Sequence, residues 1–548
     1  MKKKYQLLIL VLSVVLTSYI SLSYSDNYFE TSKNIDIFTS LYKELNTYYV
    51  DKTDPGILMK EAIDAMLKSL DPYTQYIPES EIEDFRLQTT GQYGGIGAMI
   101  TKIEDYVVIS EPYEGFPAQK AGLLPGDRII EINGVNAKGK STEDVSKILR
   151  GQPNTSVTLL INRPHLEQSF KVSFNREKVS VPSVPYSAYI SDGIGYVRLN
   201  SFTKNCANIV KSSIMELKNE QNLDGLILDL RGNPGGLLNE SVDIVNLFVE
   251  KGVEIVNTKG KIKSWDKSYV ANKNPLDEDV PLVVLINSAS ASASEIVSGA
   301  IQDLDRGIII GQRSFGKGLV QQTRRLPYNS QLKLTVAKYY IPSGRCIQAL
   351  DYSNRNDDGS VGKITDSLMS TFYTKNGREV KDGGGILPDI LVDTENYSMI
   401  IASLYRERLF FHYANYFRFL NDKISDEFVF SDLDYSNFTE YLLDKDYSYK
   451  TETEKTLEIF KKESEEEGYF IDLSNEYSIL KSKLMEKKQD DLIKSKEEIK
   501  EILTMEIMSR YYFQKGRIKA SINFDIEIKK AIELLQDRQK YDSILSRK

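Results

Sequence analysis

Histidine and cysteine are scarce in this chain. Its 548 residues include two histidines, His165 and His412, and two cysteines, Cys206 and Cys346. A protein of this size with two cysteines is held together by its hydrophobic core rather than by a disulfide framework. Whether Cys206 and Cys346 pair is left open by the sequence.

A surplus of basic charge is also lacking. The 70 lysines and arginines are outnumbered by 78 aspartates and glutamates, which gives a formal net charge of -8. Nucleic-acid binding needs clustered Lys and Arg to contact phosphates. The composition therefore gives no support to a nucleic-acid partner, while 41% hydrophobic residues are typical of a globular protein with several domains.

The chain has no long hydrophobic run, and the apolar run near its start is short. The segment MKKKYQLLILVLSVVL has a basic beginning and an apolar run over residues 7–16, followed by small residues at Ser21, Ser23 and Ser25. A membrane-spanning helix needs about 20 apolar residues. The pattern predicts a secretory signal peptide over residues 1–25 and export to the periplasm or cell envelope. An uncleaved membrane anchor is the alternative.

The rest of the chain divides by pattern into four parts. Apolar residues recur at helical spacing after the signal peptide and again, among many charges, near the C-terminus. Strand-like and helix-like segments alternate in the middle, which predicts an α/β fold built on a sheet. The predicted parts are an N-terminal helical segment (26–90), a β-rich domain (91–177), an α/β core (178–396) and a mostly helical C-terminal domain (397–548).

The β-rich segment resembles a PDZ domain. It contains GQYGGIGAMI and the turn-rich run AGLLPGDRIIEINGV, followed by the helical STEDVSKILRG. A glycine-rich loop can direct its N–H groups at a terminal carboxylate, and an adjacent strand edge can accept a peptide as an added strand. The ligand would be a polypeptide C-terminus. The alternative is that the glycines form only a tight turn. The predicted peptide-binding residues are Gly94, Gly95, Ile96, Gly97, Ala98, Val145 and Leu149.

Residues 281–322 of the α/β core carry the candidate chemistry. The stretch PLVVLINSASASASEIVSGAIQD places Ser288, Ser290, Ser292 and Ser294 between a predicted buried strand and a predicted helix. Free N–H groups at a helix start favour developing negative charge, which suits a nucleophile. Residues 292–295 also fit the S-x-x-E capping box, so Ser292 serving only as a helix cap is the alternative.

A nucleophilic serine needs a base, and neither histidine belongs to the α/β core. Lysine can take this role where burial lowers the pKa of its amine. Lys317 lies between two glycines in SFGKGLVQQ, beside apolar runs. If the following segment is a strand, an even offset places Gln321 on the same face, where its amide oxygen can orient the amine. The glycine turn in LDLRGNPGG, after another buried strand, is a candidate for part of an oxyanion hole.

Together, the SASASE, FGKG and RGNPGG motifs after a PDZ-like domain resemble the C-terminal processing peptidases, also called tail-specific proteases. The resemblance covers roughly residues 30–393 and implies a crotonase-like protease core with an inserted PDZ domain and no metal or cofactor. It also implies that Ser292 is the nucleophile, with Lys317, 25 residues later, as base and Gln321 as its partner. The implied oxyanion donors are the N–H groups of Gly236 and Ala293.

The resemblance implies that exported proteins are bound by their C-terminal ends and cleaved. Two other classes are alternatives. The intact Ser292, Lys317 and Gln321 disfavour a PDZ scaffold with an inactive protease-like domain. The PDZ-like segment disfavours an ester hydrolase. The long tail after about residue 397 departs from the core family pattern. Its role could be docking, assembly into a homo-oligomer, adaptor binding or substrate delivery, and the residues do not say which.

Overall fold

The computed structural model describes residues 28–164, 166, 168–356, 360–363, 367, 369–393 and 397–546. The predicted signal peptide, residues 1–25, and His165 lie outside the described residues. The chain forms two compact units. One contains the described residues up to Tyr76 together with Thr323–Leu334, and the other contains Ile77–Gln322 and the described residues from Thr335 onward.

The first unit is helical at its N-terminal end. Residues 28–48 form helix α1 and Pro55–Lys68 form helix α2, before the short strand β1 (Gln75–Ile77). The Asp54 carboxylate caps α2 by accepting hydrogen bonds from the N–H groups of Gly56 and Ile57, as expected for an N-cap aspartate. The prediction of N-terminal helices is confirmed.

A PDZ-like β domain follows helix α3 (Ile82–Thr90). Its main sheet has the order β3-β4-β5-β7-β8, with β6 paired to β5, so β3 lies at an open edge. Helix α5 packs beside β3, and the core includes Val107, Ile109, Ile129, Leu159 and Ile161. The elements are β2 (Gln92–Gly95), β3 (Ala98–Ile103), β4 (Tyr106–Pro112), α4 (Pro117–Lys120), β5 (Arg128–Ile132), β6 (Val135–Asn136), α5 (Thr142–Leu149), β7 (Ser156–Asn162), β8 (Phe170–Asn175) and β9 (Glu177–Ser180).

The α/β core is built on a six-stranded sheet of order β10-β11-β12-β15-β16-β23. Strand β10 is antiparallel to β11, and the other neighbouring strands are parallel. Helices α6, α7 and α8 cover one face with apolar side chains. These elements are β10 (Tyr186–Ser191), β11 (Ile194–Arg198), α6 (Cys206–Glu220), β12 (Gly225–Asp229), α7 (Leu238–Val245), β15 (Leu282–Ile286), α8 (Ala293–Asp303), β16 (Ile308–Gly311) and β23 (Ile390–Leu391).

Antiparallel strands complete the core. Strand β13 (Glu254–Gly260) pairs with β14 (Lys267–Val270) and with β18 (Gln331–Tyr340), which in turn pairs with β17 (Leu319–Arg325). Two small hairpins follow, β19 (Leu350–Arg355) with β20 (Val361–Lys363) and β21 (Thr371–Tyr373) with β22 (Glu379–Lys381). Cys206 is buried on α6, and Cys206 and Cys346 are both free thiols.

The C-terminal part is helical, as predicted. Helix α10 carries Phe410, Tyr413 and Phe417 into an aromatic core, and His412 lies half-buried beside the Phe411 ring. Helix α16 and its neighbours cover the second face of the core sheet. The helices are α9 (Met399–Arg406), α10 (Leu409–Leu420), α11 (Asp432–Tyr441), α12 (Glu452–Glu466), α13 (Phe470–Gln489), α14 (Asp491–Lys494), α15 (Lys496–Ile522), α16 (Ile526–Gln536) and α17 (Arg538–Leu545).

The predicted α/β fold class with a PDZ domain and helical ends is confirmed, whereas the predicted boundaries between the parts stay predictions. Within the described ranges, no helix is both long enough and apolar enough to span a bilayer.

Candidate active site

The serine-rich stretch forms the junction between β15 and α8. Ser292 is the residue immediately before α8 and has φ 57° and ψ -111°, an uncommon backbone conformation for a residue with a side chain. Such conformations persist only where the surroundings enforce them, and they concentrate at functional sites. Here the Ser292 carbonyl accepts hydrogen bonds from the N–H groups of Glu295 and Ile296, each at 2.9 Å.

The four candidate serines have different environments. Ser290 and Ser294 are fully buried, and their hydroxyls donate to the backbone carbonyls of Leu230 and Asn233, each at 2.9 Å. Ser288 is exposed at the start of the loop, whereas Ser292 is half-buried where the helix begins. Ser290 and Ser294 therefore hold the serine loop to the segment that follows β12. Ser292 combines solvent access with a fixed position.

A buried carboxylate links Ser292 to Lys317. Oε2 of Glu295 accepts hydrogen bonds from the Ser292 N–H at 2.7 Å and from the Lys317 N–H at 2.9 Å. Its Oε1 accepts from the Ser314 hydroxyl at 2.5 Å and from the Gly316 N–H at 2.7 Å. Burial raises the pKa of the Glu295 carboxyl above its usual range, although these four donors oppose the shift. The capping-box pattern accounts for the hydrogen bond from the Ser292 N–H to Glu295. It did not indicate the bonds from Ser314, Gly316 and Lys317.

A tyrosine hydroxyl links the same two residues on their carbonyl side. The hydroxyl of Tyr339, on β18, lies 2.6 Å from the Lys317 carbonyl oxygen and 3.2 Å from that of Ser292. Tyr339 is 1% exposed, so it is enclosed by the core. No sequence motif had singled out this residue.

The predicted third member, Gln321, lies on β17 and is half-buried. Its side-chain nitrogen donates to the Thr335 hydroxyl on β18 at 3.2 Å. Strand β17 begins at Leu319, two residues after Lys317. The even-offset argument that placed Gln321 and Lys317 on one strand face therefore does not apply as stated, because Lys317 precedes the strand.

The glycine turn after β12 lies directly against the serine. A Cβ atom added at Gly235 would come within 2.8 Å of Ser292 Cβ and 2.9 Å of the Ala293 nitrogen. The turn is held by Asn233, which is fully buried and whose carbonyl accepts the Ala291 N–H at 3.0 Å. Gly236 follows with φ 147° and is exposed. Only glycine fits this close approach, so the turn and the helix start form one surface.

The glycine loop of the PDZ-like domain is shorter than the sequence indicated. Gly94 and Gly95 belong to β2, which pairs with β9, so the connecting turn consists of Ile96 and Gly97 before Ala98 begins β3. The Tyr93 ring lies over Gly95, within 2.5 Å of where a Cβ would stand.

The side chains expected in the peptide pocket have mixed exposure. Ile96, Val145 and Leu149 belong to the domain core, while Ala98 is partly buried beside it. Burial raises the pKa of Tyr93, and the N–H groups of Gly97 and Ala98 near its phenol oxygen oppose this shift. Those two N–H groups therefore face a polar oxygen at the beginning of the open-edged strand.

Three family models match successive parts of this chain. A PDZ domain model matches residues 108–163, Peptidase family S41 matches residues 193–353, and a model described as probable PDZ-protease, C-terminal helical domain, matches residues 400–535. The tail that had been set apart from the family pattern thus matches a domain associated with PDZ-proteases.

Proteins similar to this chain are named as processing or serine proteases. A carboxy-terminal-processing protease of Bartonella bacilliformis is 37% identical over 329 residues, which are 60% of this chain and 75% of the relative. A probable CtpA-like serine protease of Staphylococcus aureus is 34% identical over 393 residues, 71% of each chain. A solved photosystem II D1 C-terminal processing protease is 28% identical, covering 65% of this chain and 92% of its own, with a TM-score of 0.35.

The fold and these matches define a serine protease with a PDZ domain and a helical C-terminal domain. The chain belongs to the carboxy-terminal-processing proteases of peptidase family S41.

Proposed function

We propose that the protein is an exported endopeptidase that binds polypeptides by their C-terminal ends and cleaves them with Ser292, Lys317 and Gln321. The observation that carries this proposal is the pair of bridges between Ser292 and Lys317, through one Glu295 oxygen and the Tyr339 hydroxyl. The two residues are 25 positions apart in sequence, yet their backbones are held together from both sides.

In the first half of the reaction, the Ser292 hydroxyl attacks the scissile carbonyl while the Lys317 amine accepts its proton. The carbonyl oxygen becomes an oxyanion, and the N–H groups of Gly236 and Ala293 donate to it. Supporting this assignment, the glycine turn lies against the Ala293 nitrogen, which also begins helix α8. The intermediate then collapses, and Lys317 returns the proton to the leaving amine.

In the second half, water attacks the acyl-enzyme ester on Ser292. Lys317 accepts a proton from the water and returns it to the Ser292 oxygen as the new carboxylic acid leaves. The role proposed for Gln321 is to orient the Lys317 amine. Its hydrogen bond to Thr335 supports a fixed side-chain position on β17.

Substrate capture is assigned to the open edge of β3. A polypeptide end would add to this edge as an antiparallel strand, with its last side chain near Val145 and Leu149 of α5. Its carboxylate would replace the Tyr93 hydroxyl at the N–H groups of Gly97 and Ala98. The edge position of β3 and the packing of α5 beside it support this mode.

Export to the periplasm or cell envelope rests on the signal-peptide pattern of residues 1–25. A mature protein held to the membrane by that segment is the alternative. Assembly or adaptor binding through residues 397–548 likewise stays a prediction.

Parallel digestion of exported proteins tests the proposal. Wild-type enzyme and the Ser292→Ala and Lys317→Ala variants are incubated with the same protein mixture, and new termini are identified by mass spectrometry. We expect new termini near polypeptide C-terminal ends with wild type and none with either variant, while circular dichroism shows that both variants fold. Normal turnover in either folded variant would refute the Ser-Lys pair.

A further inference from the structure

The arginine that begins the glycine turn is bound by carboxylates from two distant parts of the chain. Arg231 donates through Nε and Nη2 to Asp229 at 3.0 Å and 2.6 Å. Its Nη1 donates to Asp525 at 2.7 Å and also to Glu527. Asp525 and Glu527 stand at the beginning of helix α16 in the C-terminal helical domain, so two of the three partners come from outside the α/β core.

This cluster is enclosed. Only 12% of the Arg231 side chain is exposed, the Asp229 side chain is fully buried and that of Glu527 is 9% exposed. Burial opposes the charge on Arg231, but the surrounding carboxylates raise its pKa above the usual range. Moving the guanidinium out of such a buried set would leave its three carboxylates uncompensated. Arg231 therefore has a strong electrostatic reason to stay where Asp525 and Glu527 hold it.

Arg231 is the residue at which the glycine turn begins, and the rest of the turn is hydrogen-bonded to the serine loop. The N–H of Gly232 donates to the Asn287 side chain at 2.9 Å, and the carbonyl of Asn233 accepts the Ala291 N–H at 3.0 Å. Two residues further, Gly235 lies against Ser292. Four residues separate Arg231 from the proposed oxyanion donor Gly236, so a displacement of Arg231 would have to be absorbed within this short, hydrogen-bonded segment.

Helix α16 is itself a firm support. Its Ile528, Ala531, Leu534 and Leu535 are buried against Ile227, Val283, Leu285 and Ile310 on the second face of the core sheet. The Asp525 carboxylate also caps the helix, because its Oδ1 accepts hydrogen bonds from the N–H groups of Glu527 and Ile528, both at 3.0 Å. The two acidic residues thus stand on a helix packed onto the strands that end at the active site.

We propose that Asp525 and Glu527 are positioning residues for peptide hydrolysis, which makes the C-terminal helical domain a part of the catalytic machinery. By holding Arg231, they keep the Gly235–Gly236 turn in the position that binds the oxyanion. This inference rests on the proposed function of Ser292 and of the turn.

The test uses the full-length Asp525→Asn/Glu527→Gln double variant. Asparagine keeps the helix cap and glutamine keeps the side-chain volume, so the change removes charge with little change of shape. We expect kcat to fall about 10- to 100-fold with KM almost unchanged, because a misplaced donor acts on the transition state. Affinity for a peptide boronate that forms a tetrahedral adduct with Ser292 should fall in parallel with kcat/KM. Peptide binding measured in a Ser292→Ala background should not change.

Tyr541→Phe is the matched control. The Tyr541 hydroxyl joins the same helical domain to the same sheet, at 2.9 Å from the Leu282 nitrogen and 3.0 Å from its carbonyl oxygen. Leu282 begins β15, whereas the serine loop follows the other end of that strand. We expect this variant to melt at a lower temperature and to keep the wild-type kcat per folded molecule. The single Asp525→Asn and Glu527→Gln variants provide the same comparison if the double variant does not fold.

An unchanged kcat in the folded charge-removing variants would overturn the inference. An equal fall in kcat per folded molecule in Tyr541→Phe would also overturn it, because any weakened contact between the helical domain and the sheet would then have the same effect as the loss of the two charges. A higher kcat in Glu527→Asp, which keeps the carboxylate, than in Glu527→Gln, which removes it, would support the inference. Failure of the proposed function has a different signature, since Ser292→Ala would then retain peptide hydrolysis.

Discussion

Ser292 and Lys317 donate their backbone N–H groups to the same oxygen of Glu295, at 2.7 Å and 2.9 Å. The Tyr339 hydroxyl is within hydrogen-bond distance of both of their carbonyl oxygens. The nucleophile and base proposed here are therefore joined through their backbones by two enclosed side chains. Because these bridges need no substrate, the relative position of the two segments is set by the protein itself.

Tyr339→Phe should lower kcat about tenfold, because it removes one bridge between the segments that carry Ser292 and Lys317. We also expect the free energy of unfolding to fall by about 1 kcal/mol, the usual effect of losing one hydrogen bond. Steady-state kinetics and urea unfolding measure the two effects. Tyr340→Phe is the control. The Lys259 amine lies over the ring of this neighbouring residue, and phenylalanine keeps that cation–π contact. Equal kcat values for the two variants would show that the bridge has no catalytic role.

Glu295→Gln should reduce both activity and stability. A carboxylate accepts all four donors around it, whereas an amide turns an NH₂ group toward two of them. We expect the free energy of unfolding to fall by about 2 to 4 kcal/mol, since buried donors lose their acceptors. Ser298→Ala, one turn further along α8, changes another buried hydrogen bond and should keep kcat. Full activity of a stable Glu295→Gln variant would contradict this prediction.

Amidation of a substrate's C-terminus should lower kcat/KM at least about tenfold, because the N–H groups at the turn before β3 would face a neutral amide instead of a carboxylate. The comparison uses one peptide with a free or an amidated C-terminus, assayed by mass spectrometry. Acetylation of the same peptide at its N-terminus should have no comparable effect. Identical kcat/KM for the free and amidated forms would exclude recognition of the chain end.

Asp229 should contribute to stability only above strongly acidic pH. Burial opposes its ionisation, but the Arg231 guanidinium more than offsets this, and the pKa is lowered from 3.8 to about 2. The carboxylate is ionised in both folded and unfolded chains above about pH 5, so its contribution of about 2 kcal/mol is present there and is lost as the pH falls toward about 2. Urea unfolding across this range should show a steeper loss for wild type than for Asp229→Asn. If the free energy of unfolding falls equally with pH in both proteins, the acid sensitivity comes from other groups.

The sequence predicted the architecture better than it predicted the contacts within the site. Alternating strand-like and helix-like segments over residues 178–396 correctly indicated the α/β core, because each element has its own periodicity. The bonds from Ser314, Gly316 and Lys317 to Glu295 were missed because these residues lie about 20 positions further along, in a loop that has no local pattern. Gly94 and Gly95 were expected in a loop because their strand partner, β9, lies more than 80 residues later. Such long-range pairings are decided by tertiary packing, which no short motif records.

The bond between Arg231 and Asp525 joins residues 294 positions apart, and this separation has a consequence for synthesis. A ribosome that adds about 5 to 20 residues per second reaches Asp525 on the order of 15 to 60 s after Arg231. Throughout that interval the glycine turn has Asp229 but not the carboxylates of Asp525 and Glu527. Full peptidase activity is thus expected only after translation has passed these two residues, when the upstream domains of the same molecule have had time to fold and are no longer extended chains within its own reach.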